Sequence, residues 1–269
     1  YKRQGVTQAG VPSAAYFPAM NEIRVDGADA PITGLLRHGS SLLAFKPDGT
    51  WSITYSPLTL PDGTVTAGFY LRPLHRSLGN YAMGQAVLVE NCPRTVTPEA
   101  LYDWQLPEGY HRDERQAQLA SGAVGMVLRG MDPWNAVALD DGGRGDYYLF
   151  HEGEVLVHRY RLGVWCRYRG AAFQGIRFGV LSGGEPVFAG AQGVYTLDQA
   201  AAWDYLPEKT PIEGVWQSGP IGLGRVRTLV RVELTLRPES GSENAPFAAS
   251  PCGPGNRGAG GAWRRCGWK

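Results

Sequence analysis

Short hydrophobic runs separated by glycine-containing turns make up most of this chain. In SSLLAFKPDGTWSITY (residues 40–55), two apolar runs flank Pro47-Asp48-Gly49. The same outline recurs in 84–104, 145–168 and 184–199. Alternation of apolar and polar positions between such turns predicts antiparallel strands joined by hairpins.

Three of these segments can be superposed: LLAFKPDGTWSIT, YYLFHEGEVLVHRY and PVFAGAQGVYTLD. Each has a few apolar residues, a short turn with glycine and an alternating strand, and units recur at roughly 40–50 residues, the spacing of four-stranded propeller blades. We therefore expect an all-β, β-propeller-like repeat of antiparallel blades with little helix. The side chains expected to be mainly buried are Leu42, Leu43, Phe45, Trp51, Tyr148, Phe150, Val155, Val157, Trp165, Val187, Phe188 and Tyr195.

The pattern changes near Trp216, which divides the chain into three predicted parts. Residues 1–216 form the β-propeller-like domain. Residues 217–238 alternate regularly and are expected to be exit strands or the start of a β-sandwich. Residues 239–269 are rich in Gly, Pro, Ala and Ser, which indicates a low-complexity tail or, as a second hypothesis, the product of a shifted reading frame.

Helical patterning is confined to DERQAQLASGAVGMVLRGM (residues 113–131). Asp113 could cap a helix there, and Leu119, Val124, Val127 and Leu128 form a rough apolar stripe. Gly122 and Gly125 weaken that pattern. One short helix or turn is expected in this stretch.

Charge and cysteine content exclude several classes of protein. The 269 residues carry 26 Lys and Arg against 25 Asp and Glu; without residues 241–269, which hold four of the basic residues and one acid, 22 and 24 remain. Such a balance does not favour tight binding to phosphates. Cys92, Cys166, Cys252 and Cys266 show no zinc-finger spacing, and Cys92 and Cys166 are expected to be reduced and half-buried. No apolar run is long enough to span a membrane.

Residues that could carry chemistry are present but not grouped. The five histidines, His38, His75, His111, His151 and His158, lack partners at metal-binding spacing. The odd separation of His151 and His158 would place them on opposite faces of simple strands, with the intervening turn leaving this open. The acidic segment 139–148 does not fit a calcium loop and is expected to be a hairpin turn. We therefore predict no catalytic, cofactor-binding or metal-binding residues and no enzymatic activity.

Several segments together resemble tail and head–tail connector proteins of bacteriophages and prophages. The first, YFPAMNEIRVDGADAPITGLLRHGSSLLAFKPDGTWSI (residues 16–53), matches a Phe-Pro-Ala-x-Asn entry followed by Asp-Pro-Ile-Thr-Gly-Leu, with Ala30 in place of the Asp. Residues 72–104, 112–124 and 146–168 are similar to later parts of the same pattern, and 214–236 to its Trp-x-Ser-Gly exit strand. The resemblance covers roughly residues 16–236 and depends on the order of the motifs.

This resemblance implies a structural protein of the virion tail, of the hub, nozzle or connector type, that lines or closes the DNA channel without catalysis. The implied partners are other copies of the chain in a ring, other tail or connector proteins, and passing DNA that is bound without sequence specificity. Two other hypotheses stay open: a carbohydrate- or protein-binding β-propeller of cellular origin, and a propeller enzyme such as a glycosidase. The chain begins with Tyr1, so we expect that N-terminal sequence is missing.

Overall fold

The protein is built mainly of antiparallel β-sheets. The computed structural model describes residues 5–6, 12–13, 23–25, 30–63, 65–105, 115–191, 193–197, 203–204 and 210–211. The chain divides into two units, Tyr1–Lys209 and Thr210–Lys269, and the sheets described below belong to the first. The predicted exit strands (217–238) and the predicted tail (239–269) lie outside the described residues.

Four sheets follow one another along the chain, and each is a meander in which consecutive strands pair. Sheet 1 contains β3 (Gly34–His38), β4 (Ser41–Lys46), β5 (Gly49–Thr59) and β6 (Val65–His75). Sheet 2 contains β7 (Val87–Val89), β8 (Cys92–Val96), β9 (Leu101–Gln105) and β10 (Gln116–Leu119). Sheet 3 contains β11 (Val137–Asp141), β12 (Asp146–His151), β13 (Glu154–Arg159) and β14 (Val164–Arg169). Sheet 4 contains β15 (Ile176–Ser182), β16 (Glu185–Gly190) and β17 (Gly193–Thr196).

The remaining elements are short. Strands β1 (Gly5–Val6) and β2 (Pro12–Ser13) pair with each other, and β18 (Trp203–Asp204) and β19 (Thr210–Pro211) are two residues each. One α-helix, α1 (Gly125–Arg129), and three single 3₁₀ turns complete the described elements. No helix in the described part of the chain is long and apolar enough to cross a membrane.

Two-residue turns with positive φ fix the register of three hairpins. They are formed by Glu90-Asn91, Glu152-Gly153 and Gly183-Gly184. Positive φ at both central residues matches the right-handed twist of the flanking strands. The prediction that each short connection contains glycine is wrong for Glu90-Asn91, where Asn supplies the left-handed conformation that it tolerates better than most residues.

Each sheet packs against the next one along the chain. Phe45 of sheet 1 contacts Trp104 of sheet 2, with ring centroids 5.9 Å apart. One apolar cluster joins sheet 2 to sheet 3, and another joins sheet 3 to Ile176 and Phe188 of sheet 4. The first strand of sheet 3 also lies beside the first strands of sheets 2 and 4.

The three superposed sequence segments prove to be equivalent parts of their sheets. They form the second and third strands of sheets 1, 3 and 4. Of the twelve side chains predicted to be buried, eight are buried, and Trp165, Val187 and Tyr195 are half-buried. The prediction for Leu42 is wrong: it is 37% exposed, because its neighbour Leu43 takes the inward position on β4.

The predicted helix is real but shorter and later than its sequence pattern. Residues 116–119 are strand β10, which pairs with β9, and helix α1 begins only at Gly125. Leu119 is therefore exposed on a sheet edge, while Leu128 is buried in the cluster between sheets 2 and 3. Pairing with β9 overrode the local helical pattern, and Asp113 lies outside the described residues.

Candidate functional site

The histidines are distributed over separate contacts. His75 meets the edge of the Trp104 ring, and His38 lies against Arg115 and the carbonyl oxygen of Asn91. His111 lies outside the described residues. In the described part of the chain, no group of three or more His, Cys, Asp or Glu side chains is placed to hold a metal ion.

His151 and His158 lie on the same face of sheet 3, which corrects the expectation of opposite faces. His151 pairs with Glu154, and His158 pairs with Tyr147, across the two-residue turn. Directly paired residues share a face, so the turn reverses the parity that simple counting along one strand gives. The two histidines stand at opposite ends of the hairpin.

A rank of polar and aromatic side chains crosses sheet 3. Asp140, Tyr147, His158 and Trp165 are successive cross-strand partners on β11, β12, β13 and β14. The His158 and Trp165 rings stack with centroids 4.4 Å apart. Because Tyr147 belongs to the cluster shared with sheet 2, this rank faces sheet 2.

Arg94 of β8 reaches that rank from sheet 2. Its guanidinium donates two hydrogen bonds to its cross-strand neighbour Asp103, at 2.6 and 2.8 Å, and lies 4.7 Å from the centre of the Tyr147 ring. A third N–H donates to Nδ1 of His158 at 3.2 Å. We call Arg94, Asp103, Asp140, Tyr147, His158 and Trp165 the Arg94 seam.

Arg94 and Tyr147 form the buried centre of the seam. The Arg94 side chain is only 3% exposed, and its guanidinium already holds a two-point contact with a carboxylate, the geometry that arginine favours for a buried pair. Burial and the neighbouring Arg94 lower the pKa of His158, which keeps the imidazole neutral and able to accept at Nδ1. These contacts connect the two sheets, and the other polar members of the seam, Asp103, Asp140 and His158, are half-buried.

The Asp140 carboxyl of the seam has a shifted pKa. Burial raises its pKa to about 6, while Tyr160 and Arg94 act in the opposite direction. Burial likewise raises the pKa of Tyr160 to about 12. The hydroxyl oxygen of Tyr147 is buried without a hydrogen-bond partner among the described residues. The folded seam therefore holds the proton of Asp140 more tightly than the unfolded chain does, and the carboxyl ionises as the pH rises through about 6.

The two cysteines and the acidic segment 139–148 lie within ordinary elements of the fold. Cys92 and Cys166 are free and half-buried, as predicted, and burial raises the pKa of the Cys92 thiol to about 11, so it is a poor nucleophile near neutral pH. Segment 139–148 is the predicted hairpin, closed by Arg161, which donates to the carbonyl oxygens of Gly142 and Gly143.

Several residues of the motif segments 16–53 and 72–104 lie where consecutive sheets join. The hydroxyl of Thr33 donates to the carbonyl oxygen of Asn80 at 2.5 Å, and the buried Asn80 amide returns a bond to the carbonyl oxygen of Thr33. The buried Gln85 amide donates to the carbonyl oxygens of Pro133 and Ala136, between sheets 2 and 3. The motif residues thus position the sheets, and they surround no reactive centre in the described residues.

One open surface depression lies next to an exposed tryptophan. It has a volume of about 640 Å³ and is lined by Pro98, Glu99, Arg129, Met131, Asp132 and Pro133. The adjacent Trp134 is half exposed, and its ring meets that of Tyr81 at 5.1 Å, edge to face. An exposed indole beside charged side chains could bind a sugar or a peptide.

A two-stranded apolar ribbon extends from sheet 1. Strand β4 pairs with β5 only as far as Thr54, whereas β5 and β6 remain paired to Thr59 and Val65. We call residues 55–59 and 65–69 the ribbon; at about 3.4 Å per residue it projects roughly 17 Å beyond β4. Exposed apolar side chains lie on both faces: Tyr55 and Phe69 are in contact on one face, and Leu58 and the adjoining Tyr70 lie on the other.

Sequence reasoning missed both the Arg94 seam and the ribbon. The signal for the seam was an arginine inside the short strand CPRTV, where a charged interior residue requires a partner. The signal for the ribbon was TYSPLTLPDGTVTAGFYL (residues 54–71), in which Asp62 is the one charged residue.

Comparison with known proteins does not assign the chain to a family. No protein-family model matches it, and no curated protein matches it. The function must therefore be argued from the residues and the fold.

Proposed function

We propose that this protein is a structural, non-enzymatic component of a phage or prophage virion tail, built as a β-propeller-like array of blades. The observation that carries the proposal is the agreement between motif order and sheet order. Segments 16–53, 72–104 and 146–168 resemble successive parts of tail and connector proteins, and they contain strands of sheets 1, 2 and 3 in that order.

The packing of the sheets supports a blade interpretation. Consecutive meanders of three or four strands pack through apolar clusters, and the first strand of sheet 3 lies beside the first strands of sheets 2 and 4. In a propeller, the first strands of the blades line the central axis and the faces of neighbouring blades pack together. The four described sheets are at the lower end of the four to eight blades that are typical of propellers, and further strands or further copies of the chain would add to the ring.

The chemistry of the described residues is consistent with a structural role. The Arg94 seam and the buried Asn80 and Gln85 amides use their polar groups to connect sheets. We propose that other copies of the chain and other tail or connector proteins are its partners in the virion. The slight acidic excess of residues 1–240 suits a channel wall along which DNA slides without sequence-specific contacts.

Fractionation of phage particles tests the proposal. After prophage induction in the source strain, particles are banded in a density gradient and each fraction is analysed by mass spectrometry. We expect peptides of this chain to follow those of portal and tail proteins, and to stay with the particles after a high-salt wash. Peptides found only in the soluble cell fraction would contradict the virion assignment.

A carbohydrate- or protein-binding β-propeller of cellular origin is the second candidate. The observation that favours it is the exposed Trp134 beside the charged depression. A glycan array compares the wild-type chain with Trp134→Ala, and Trp165→Ala serves as a control at a tryptophan inside the seam. Glycan binding that only Trp134→Ala abolishes would favour this candidate over the virion component.

A further inference from the structure

The outer edge strands of the four sheets are not alike. Strands β10 and β17 are four residues long. Strand β14 carries Arg167 and Arg169, which both pair with Glu154 on the neighbouring strand. Short length and charge are the usual means by which proteins protect an edge from pairing with another chain.

Strand β6 lacks this protection. It is eleven residues long, and no described strand pairs with its outer side. From Val65 to Leu71 it contains neither a charged residue nor a proline. Val65 is 56% exposed, Phe69 50% and Tyr70 55%. An exposed, long and apolar edge of this kind is a template for another strand.

The other edge of the ribbon is less suitable for pairing. Along residues 55–59, β5 extends beyond β4, but Pro57 has no N–H to donate to a ladder. The first proline of β6 is Pro73, outside the uncharged stretch. The two sides of the ribbon therefore differ, and β6 is the side able to accept a continuous strand.

We propose that β6 pairs antiparallel with β6 of a second copy of this chain, about a two-fold axis centred near Gly68. In this register Val65 of one copy lies opposite Leu71 of the other, so the whole uncharged stretch enters the ladder and Arg72 stays outside it. An antiparallel edge can pair with its own copy about a two-fold axis. If residue i of one copy lies opposite residue j of the other, then residue j of the first copy lies opposite residue i of the second.

Charge and area support a second copy as the occupant. The seven residues of this edge carry no charge, so a charged segment of another protein would find no opposite charge there. The same edge of a second copy is equally uncharged and needs none. The aromatic side chains of the edge would bury roughly 150–250 Å² each if fully covered, and about half of that area remains available. The interface thus falls in the small class, below roughly 1,200 Å² in total, which predicts a reversible dimer.

Sedimentation equilibrium of the full chain tests the pairing. Over concentrations from about 1 to 200 μM, the wild-type chain should approach twice the mass of its smallest species. Phe69→Lys should weaken this step at least tenfold, because the two-fold axis brings the two new ammonium groups near each other. Val194→Lys makes the same charge change at an exposed apolar residue on the edge strand β17, and it should change the association less than twofold.

Mixing two variants tests the symmetry. Phe69→Lys and Phe69→Glu copies should each associate weakly alone and recover wild-type association when mixed, since opposite charges then meet across the axis. A head-to-tail contact would place position 69 against a different residue, and the mixture would not recover. Circular dichroism confirms that the variants are folded; if Phe69→Lys unfolds the chain, Ala67→Lys and Ala67→Glu replace the pair, because position 67 lies as close to the axis in this register as position 69.

Three results would overturn the proposal: a wild-type chain that does not self-associate over this range, equal association of wild type and Phe69→Lys, or failure of the mixture to recover. The pairing does not depend on the proposed function. Absence of the protein from virions would leave the sedimentation results unchanged, and loss of pairing would leave the particle fractionation unchanged.

Discussion

At the scale of single residues, the seam shows how this protein tolerates a charge between two sheets. Arg94 is almost fully buried, and its positive charge is offset by Asp103, the Tyr147 ring and the lone pair of His158. A buried charge is costly unless it is paired and hydrogen-bonded, so removal of one partner is more damaging than the net value of the pair. Arg94 is consequently the side chain whose loss should harm the seam most.

We expect Arg94→Met to lower the free energy of unfolding by about 3–5 kcal/mol, because the substitution leaves the Asp103 carboxylate without its partner. Urea denaturation followed by tryptophan fluorescence measures the change. Arg167→Met is the matched control: it breaks an exposed pair with Glu154 and should cost no more than about 1 kcal/mol. Equal losses for the two variants would show that the seam does not stabilise the fold.

Asp140 should make stability depend on pH. Its pKa is raised to about 6 in the folded state, so between its unfolded value near 4 and about 6 the native protein holds more protons than the unfolded chain. The stabilisation from this group is therefore complete at low pH and is lost as the pH rises through about 6. Above that value, the folded state carries the cost of an ionised, partly buried carboxylate.

Replacing Asp140 with Asn removes this dependence. The free energy of unfolding of Asp140→Asn minus that of wild type should be roughly 1 kcal/mol larger at pH 7.5 than at pH 4.5. This value is reduced for partial screening by solvent. Paired urea titrations at the two pH values give the difference. A difference of the opposite sign would show that the Arg94 charge outweighs burial at this site.

At the scale of elements, the connection from sheet 1 to sheet 2 crosses close to the β4–β5 turn. The backbone N–H of Asn80 donates to the carbonyl oxygen of Lys46 at 2.9 Å. A Cβ atom on the preceding Gly79 would overlap the carbonyl oxygens of Lys46 and Gly49. The close approach of two backbones therefore requires glycine at position 79.

Gly79→Ala should lower the melting temperature by several degrees, corresponding to about 1–3 kcal/mol or more, since backbone atoms cannot move aside as a flexible side chain can. Gly122→Ala is the control, because a Cβ there meets no atom within 4 Å and the backbone has no positive φ. That variant should be neutral or more stable by up to about 1 kcal/mol. Thermal melts followed by circular dichroism compare the two; a tolerated Gly79→Ala would mean that the connection can separate from the turn.

At the scale of the whole molecule, apolar clusters join the four sheets in series, and no described strand pairs with the outer edge of the first or the last sheet. We expect the purified full chain to form species larger than its monomer mass of 29.2 kDa, because unpaired edges and incompletely covered sheet faces favour association. Multi-angle light scattering on the size-exclusion eluate measures the mass. A single sharp species at the monomer mass with cooperative melting would contradict both the open-edge argument and the tail assignment.

The sequence by itself determined the hairpins and much of the core. Period-two alternation and turn residues located the strands of sheets 1, 3 and 4, and eight of the twelve predicted core side chains are buried. These features are local: a strand's pattern and its turn chemistry depend on neighbouring residues in the chain. The sequence also shows no grouped catalytic motif. That the whole protein has no catalytic site stays a prediction.

Only the tertiary structure decided which residues meet between sheets. Residues 116–119 became a strand because β9 offered them a hydrogen-bonding edge, which no helical pattern within 113–131 could reveal. His151 and His158 share a face because a turn reversed their parity. Arg94 meets His158, 64 residues further along the chain, because two sheets pack face to face. Such contacts depend on strand pairing and sheet packing, and these bring together residues that no local pattern connects.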